Sequence, residues 1–139
     1  MSHQQSTVYP SRPYLIAEKS AQSSISTTPV KMTFDSPSTN TLGMTVSSST
    51  YTATVTGLYF CKTGAYGSAG TACRVLAYKN GSEYQAANGA SAMSGAHTST
   101  FVVPLAIGDT LEFYVVLASS SGDFVLSYGI AQLKIMLLN

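Results

Sequence analysis

The chain has 139 residues, of which 45% are hydrophobic and 9% are charged. This length and apolar content suit one domain with its own core and argue against a multidomain enzyme. Seven basic residues oppose six carboxylates, for a formal net charge of +1, so we expect no nucleic-acid partner.

Small hydroxyl residues dominate the composition, with 21 serines and 16 threonines beside nine tyrosines and no tryptophan. Threonine, valine and tyrosine pack well on a pleated surface, so the composition predicts an all-β fold. No stretch approaches the roughly 18 apolar residues of a membrane span, and residues 1–20 lack the apolar region of a signal peptide. We therefore expect no membrane insertion, and synthesis in a cytoplasm.

Residues 1–30 are predicted to form an extended N-terminal arm. Pro10, Pro13 and Pro29 favour extended backbone, and the segment is too polar to close a core alone. A short apolar patch in it can dock on another protein. The residues expected to contact that partner are Tyr9, Tyr14, Leu15 and Ile16.

Residues 31–139 are predicted to form a domain of short strands separated by turns, the spacing expected of a sandwich or barrel. Asn80-Gly81 indicates a type I′ hairpin, and Gly108-Asp109 indicates a turn between two long strands. The predicted strands span residues 30–34, 41–46, 51–55, 58–66, 72–78, 82–86, 97–105, 110–118 and 124–138, the last of which could be two strands.

Alternation assigns one face of each long strand to the core, such as Leu111, Phe113 and Val115 in the strand over residues 110–118. The opposite faces are only partly polar. A single sandwich would leave that apolar surface in water, which favours self-association. The candidate residues for a trimer interface are Leu58, Phe60, Leu76, Tyr78, Tyr114 and Val116.

Four segments, in this order, resemble the C1q/TNF-like jelly-roll family. Residues 51–60 are similar to its strand, glycine turn and aromatic strand, and residues 76–81 to its strand that runs into an Asn-Gly hairpin. Residues 103–111 are similar to its Gly-Asp corner, and residues 132–138 to its terminal hydrophobic strand. The resemblance covers residues 31–139 and implies a sandwich of about ten antiparallel strands that assembles as a homotrimer and binds rather than catalyses.

The sequence departs from the secreted members of that family, because it shows no signal peptide, no collagen-like stalk and no acidic calcium cluster. By analogy it is similar to the jelly rolls of bacteriophage virions. The function predicted is a non-enzymatic structural protein on the virion surface, made in the host cytoplasm. We expect a trimeric capsid decoration or cement protein, anchored through its arm to the major capsid or another virion protein. The alternative is a receptor-binding fibre or spike tip that holds a host glycan, with Tyr66 and Tyr84 able to stack on sugars.

No catalytic, cofactor-binding or metal-binding residue is predicted. His97 is interpreted as a surface histidine, and a small hydrolase that would pair it with a carboxylate or cysteine is the least favoured function. Asp123 could contribute to a calcium site on a trimer axis, but one aspartate is little evidence. Cys61 and Cys73 are interpreted as buried free thiols on neighbouring strands, where they could face each other.

Overall fold

The computed structural model describes residues 12–18, 23–25, 27–34, 37–67, 73–87, 95–117, 122–124 and 132–139. This part of the chain contains thirteen β-strands, and none of it forms a helix long and apolar enough to cross a membrane. The strands are β1 (Tyr14–Glu18), β2 (Ser23–Ile25), β3 (Val30–Lys31), β4 (Thr39–Asn40), β5 (Thr45–Ser47), β6 (Thr50–Thr52), β7 (Gly57–Gly67), β8 (Cys73–Lys79), β9 (Ser82–Ala86), β10 (Gly95–Leu105), β11 (Thr110–Leu117), β12 (Gly122–Phe124) and β13 (Gln132–Leu137).

Two antiparallel sheets form a sandwich. The five-stranded sheet has the order β10-β7-β13-β1-β4, and the six-stranded sheet has the order β5-β6-β11-β8-β9 with β3 paired to β11. A small sheet of β2 and β12 contacts β11 and β7. The prediction of an all-β jelly-roll sandwich is confirmed.

The core lies between the two sheets and follows the predicted alternation. Leu111, Phe113 and Val115 are at most 2% exposed, and Phe101 and Phe113 meet across the core with ring centroids 5.9 Å apart. Side chains from both sheets alternate inward and outward, as period-two patterning requires. Other buried core residues include Tyr51, Tyr59, Val75, Val103, Leu105, Leu133 and Ile135.

Strand β1 corrects the predicted N-terminal arm. It pairs with β13 along its whole length, with Leu15 opposite Ile135, and the side chains of Leu15 and Ala17 are fully buried in the core. The arm therefore does not extend over residues 14–18, and the expectation that Leu15 inserts into a partner protein is wrong, because its side chain already fills this core. Tyr9 lies outside the described residues.

Both predicted turns are confirmed. Asn80 and Gly81 join β8 to β9 with φ of 53° and 80°, the two positive values that a type I′ hairpin requires. Gly108 has φ of 91° in the corner between β10 and β11. These two turns lie at the same end of the sandwich, where they exchange hydrogen bonds.

Candidate functional site

An apolar row crosses the outward face of the five-stranded sheet. Val102 of β10 lies opposite Phe60 of β7, Phe60 lies opposite Met136 of β13, and Met136 lies opposite Tyr14 of β1. Directly opposed side chains are neighbours on one face of a sheet. Val102 is 44% exposed and Met136 37%, and Phe60 and Tyr14 are half-buried. We call these four residues the apolar row.

The surface on either side of the apolar row differs in polarity. Leu58 and Pro104 form the neighbouring pair toward the end of the sandwich that holds the two turns. On the other side, Lys62 of β7 lies opposite Lys134 of β13. This face is thus apolar toward one end and basic beyond the apolar row.

The six predicted interface residues divide between two opposite faces. Leu58 and Phe60 lie on the outward face just described, whereas the other four lie on strands β8 and β11 of the six-stranded sheet. Leu76 is 2% exposed and Val116 8%. The expectation that a single sandwich would leave these two side chains in water is wrong, because the chain itself covers them.

The outward face of the six-stranded sheet satisfies several of its groups internally. Tyr78 and Tyr114 stack with ring centroids 4.0 Å apart and an angle of 28° between the planes. Lys31 pairs with Glu112, with Nζ and Oε2 2.7 Å apart, and its Nζ also donates to Thr50 Oγ1. Exposed side chains remain on strands β8 and β9, namely Arg74, Glu83 and Tyr84.

Asp109 organises the end of the sandwich where the turns meet. Its Oδ2 accepts a hydrogen bond from the Ala106 backbone amide at 2.9 Å, and its Oδ1 accepts one from Asn80 Nδ2 at 3.0 Å. Lys79 Nζ lies 3.6 Å from Oδ2. The backbone hydrogen bond, with Asn80 and Lys79 contributing less, lowers the pKa of Asp109 below its usual value. A carboxylate so engaged serves the turn rather than a reaction.

A shallow groove of about 430 Å³ opens beside this corner. Its charged groups are Lys79 and Asp109, and these are already paired with each other. Within the described residues, no group of three or more histidine, cysteine or carboxylate side chains could hold a metal ion. The groove is lined by Thr56, Gly57, Leu58, Lys79, Pro104, Leu105, Ala106, Asp109 and Asn139.

The prediction that the two cysteines lie on neighbouring strands is wrong, because their strands β7 and β8 belong to different sheets. Cys61 is a free, fully buried thiol, and burial raises its pKa, so it packs as a small hydrophobe and is unsuited to act as a nucleophile. The prediction of a buried free thiol is confirmed for Cys61. The side chain of Cys73 lies outside the described part of the structure.

Other residues singled out in the sequence are only partly placed. Tyr84 of β9 is 46% exposed, and Lys79 Nζ lies 5.8 Å from its ring centroid. The backbones of Tyr66, His97 and Asp123 lie in β7, β10 and β12, but their side chains lie outside what the structure describes. The structure does not bring any of these residues together into a described site.

Comparison with known proteins identifies the fold. No protein-family model and no curated protein matches the sequence. A crystal structure of murine APRIL at pH 8.0 superposes with a TM-score of 0.71 and 14% identity over 91% of this chain and 99% of that one. The globular domain of zebrafish complement 1qA superposes with a TM-score of 0.60 and 16% identity over 92% and 98%. The chain therefore has a C1q/TNF-like jelly-roll fold.

Proposed function

We propose, from a C1q/TNF-like fold that is typically trimeric and non-enzymatic, that this chain is a structural protein that assembles as a homotrimer. In this proposal, the outward face of the five-stranded sheet is covered by neighbouring copies. The observation that carries the proposal is the apolar row, in which four large side chains lie side by side across four strands.

The size of the hydrophobic effect supports this assignment. Complete burial of a large apolar side chain contributes roughly 1.5–3 kcal/mol relative to full exposure. The four side chains of the apolar row are half-buried or more exposed in the single chain, so covering them would contribute on the order of several kcal/mol per copy before the cost of association. Leu76 and Val116 of the six-stranded sheet offer no comparable gain, because they are already covered.

A matched pair of variants tests the trimer. Val102 belongs to the apolar row and Val55 to the loop before β7, and the two are 44% and 45% exposed. We expect Val102→Asp to turn the trimer into a folded monomer, because the contact between copies would have to remove a carboxylate from water beside Phe60. Val55→Asp introduces the same charge away from that face and should leave the trimer intact.

Light scattering gives the mass of each variant, and circular dichroism reports the fold. A wild-type chain that stays monomeric at micromolar concentration would refute the trimer. A Val102→Asp chain that remains trimeric would place the contact elsewhere on the molecule.

The finer role we propose for the trimer is decoration or cement on the surface of a virion, with the major capsid protein or another virion protein as partner. Two features support it: a chain rich in serine and threonine with few charged residues, and a polar segment ahead of β1. Residues 1–11 join the sandwich at Arg12, whose guanidinium donates to the Leu138 carbonyl at the end that holds the two turns. Three such segments on one trimer would attach together and reinforce one another.

Deletion of residues 1–11 tests this attachment. The deletion spares β1, whereas a cut beyond residue 18 would remove a strand whose Leu15 and Ala17 are fully buried. We expect the shortened protein to remain a folded trimer and to lose its place on the particle, as seen by electron microscopy of intact particles. If the shortened trimer still decorates particles, attachment resides in the sandwich itself, as a receptor-binding or fibre role would require.

A further inference from the structure

Two lysines face each other beside the apolar row. Lys62 and Lys134 are directly opposed in the pairing of β7 with β13, and both side chains are exposed. Opposed residues in an antiparallel pair have Cβ atoms roughly 4.5–5.5 Å apart, and like charges in this arrangement repel. The sheet therefore places two lysine side chains next to each other on one outward face.

These lysines differ from the other two lysines whose side chains are described. Lys31 and Lys79 each pair with a carboxylate, at 2.7 Å and 3.6 Å. Lys62 and Lys134 form no ion pair within the described part of the chain. Glu18 lies on the same face, but its Oε1 accepts a hydrogen bond from Gln132 Nε2 at 2.8 Å. The facing lysines thus carry charge that the described residues do not neutralise.

The proposed contact between copies reaches these lysines. Lys62 follows Phe60 by two residues and Lys134 precedes Met136 by two, a separation of about 6.8 Å along each strand. Any surface that covers the apolar row therefore lies against the lysines or borders them. Removing charges from water without a partner costs several kcal/mol per ion, so a stable contact needs negative charge at this position.

The described carboxylates supply too little of that charge. Asp109 and Glu112 pair with Lys79 and Lys31. Glu18 keeps its charge on the same face as the two lysines, because its partner Gln132 is a neutral amide. Glu83 is exposed on β9, at the edge of the other sheet. One carboxylate on the described part of this face stands against two lysines, so an anion from solution would supply the charge that is missing.

We infer that Lys62 and Lys134 bind a small multivalent oxyanion, of the phosphate or sulfate class, in the contact between copies. The inference rests on the proposed trimer. A dianion with several acceptor oxygens can receive hydrogen bonds from more than one ammonium group and cancel their repulsion. A closed contact between protein surfaces admits an ion of this size and excludes larger polyanions.

Inorganic phosphate is the probe, used with the full chain. Phosphate is added to millimolar concentration while sodium chloride holds the ionic strength constant, so that general screening does not change. We expect phosphate to raise the melting temperature of the wild-type trimer and to broaden its own phosphorus NMR line. The double variant Lys62→Gln/Lys134→Gln should lose both responses.

Two controls isolate the lysine pair. Arg74→Gln removes one positive charge from an exposed position on β8 and should respond to phosphate as the wild type does. Lys62→Arg/Lys134→Arg keeps the charge and should keep the response.

The outcomes separate this inference from the proposed function. A monomer in light scattering refutes the trimer, and this inference with it. A wild-type trimer that responds to phosphate no more than to chloride overturns the anion site and leaves the trimer standing. The same conclusion follows if the double glutamine variant responds as strongly as the wild type.

Discussion

The outward face of the five-stranded sheet leaves large apolar side chains exposed, whereas the six-stranded sheet covers Leu76 and Val116 of its central strands and leaves Tyr84 of its edge strand exposed. Val102 and Met136 are 44% and 37% exposed on the first face, and Leu76 and Val116 are 2% and 8% exposed on the second. The sequence pattern is the same on both faces, with apolar residues at alternate positions. Of these four side chains, only the two on the five-stranded sheet have apolar surface left to bury.

The lysines follow the same division. On the six-stranded sheet, Lys31 is paired with Glu112, and at the adjacent corner Lys79 is paired with Asp109. On the five-stranded sheet, Lys62 and Lys134 face each other. A surface that combines exposed apolar residues with uncompensated charge is incomplete as a single chain. For this reason the proposed contact between copies is assigned to the five-stranded sheet.

Replacement of one aromatic residue on each face tests this difference most strongly. Phe60→Ala removes a central member of the apolar row, and we expect it to weaken association by on the order of 2 kcal/mol per copy, as for a central interface residue. Tyr114→Ala removes the stack with Tyr78, which contributes about 0.5–1.5 kcal/mol beyond the area it buries. That loss should lower the free energy of unfolding and leave association unchanged.

Sedimentation equilibrium measures the association of both variants, and urea unfolding at a fixed protomer concentration measures their stability. The assignment of the contact to the five-stranded sheet is wrong if Tyr114→Ala dissociates the trimer while Phe60→Ala does not. Equal effects of the two variants on association would mean that both faces take part in the contact.

The features that the sequence predicts well are those fixed by neighbours along the chain. Asn80-Gly81 specifies its hairpin because both turn positions need positive φ, and the alternation around Phe113 specifies the inward face of β11. Both are local rules. The C1q/TNF-like fold followed from the order of such local signals.

The features that the sequence missed depend on distant pairing. Strand β1 has five residues next to a proline, and its partner β13 lies more than a hundred residues away, so nothing nearby marks Leu15 as a core residue. The assignment of β7 and β8 to different sheets also depends on the whole topology. For the same reason the sequence could not predict that Phe60 is partly exposed while Leu76 is buried, although both occupy the outward positions of their strands.

A small dependence of stability on pH is expected at the corner where the two sheets are joined. Asp109 lies in the corner between β10 of one sheet and β11 of the other, and its pKa is lowered chiefly by the Ala106 amide and then by Asn80. A carboxyl with a lowered pKa in the folded state stabilises the fold above its unfolded pKa of about 3.9. That contribution is lost as the pH falls through the lower folded value.

Asp109→Asn should therefore reduce the stability of the fold at neutral pH, and the difference from wild type should shrink as the pH falls below about 4. Urea unfolding at a series of pH values measures this difference in the free energy of unfolding. Glu83→Gln is the matched control, since Glu83 is exposed and forms no ion pair with any described residue, and it should show no such convergence. Because Asp109 lies outside the apolar row, the variant should unfold more easily without dissociating first. Dissociation of a still folded Asp109→Asn chain would show that the corner belongs to the contact between copies, which would extend that contact from the face of the five-stranded sheet to the end of the sandwich.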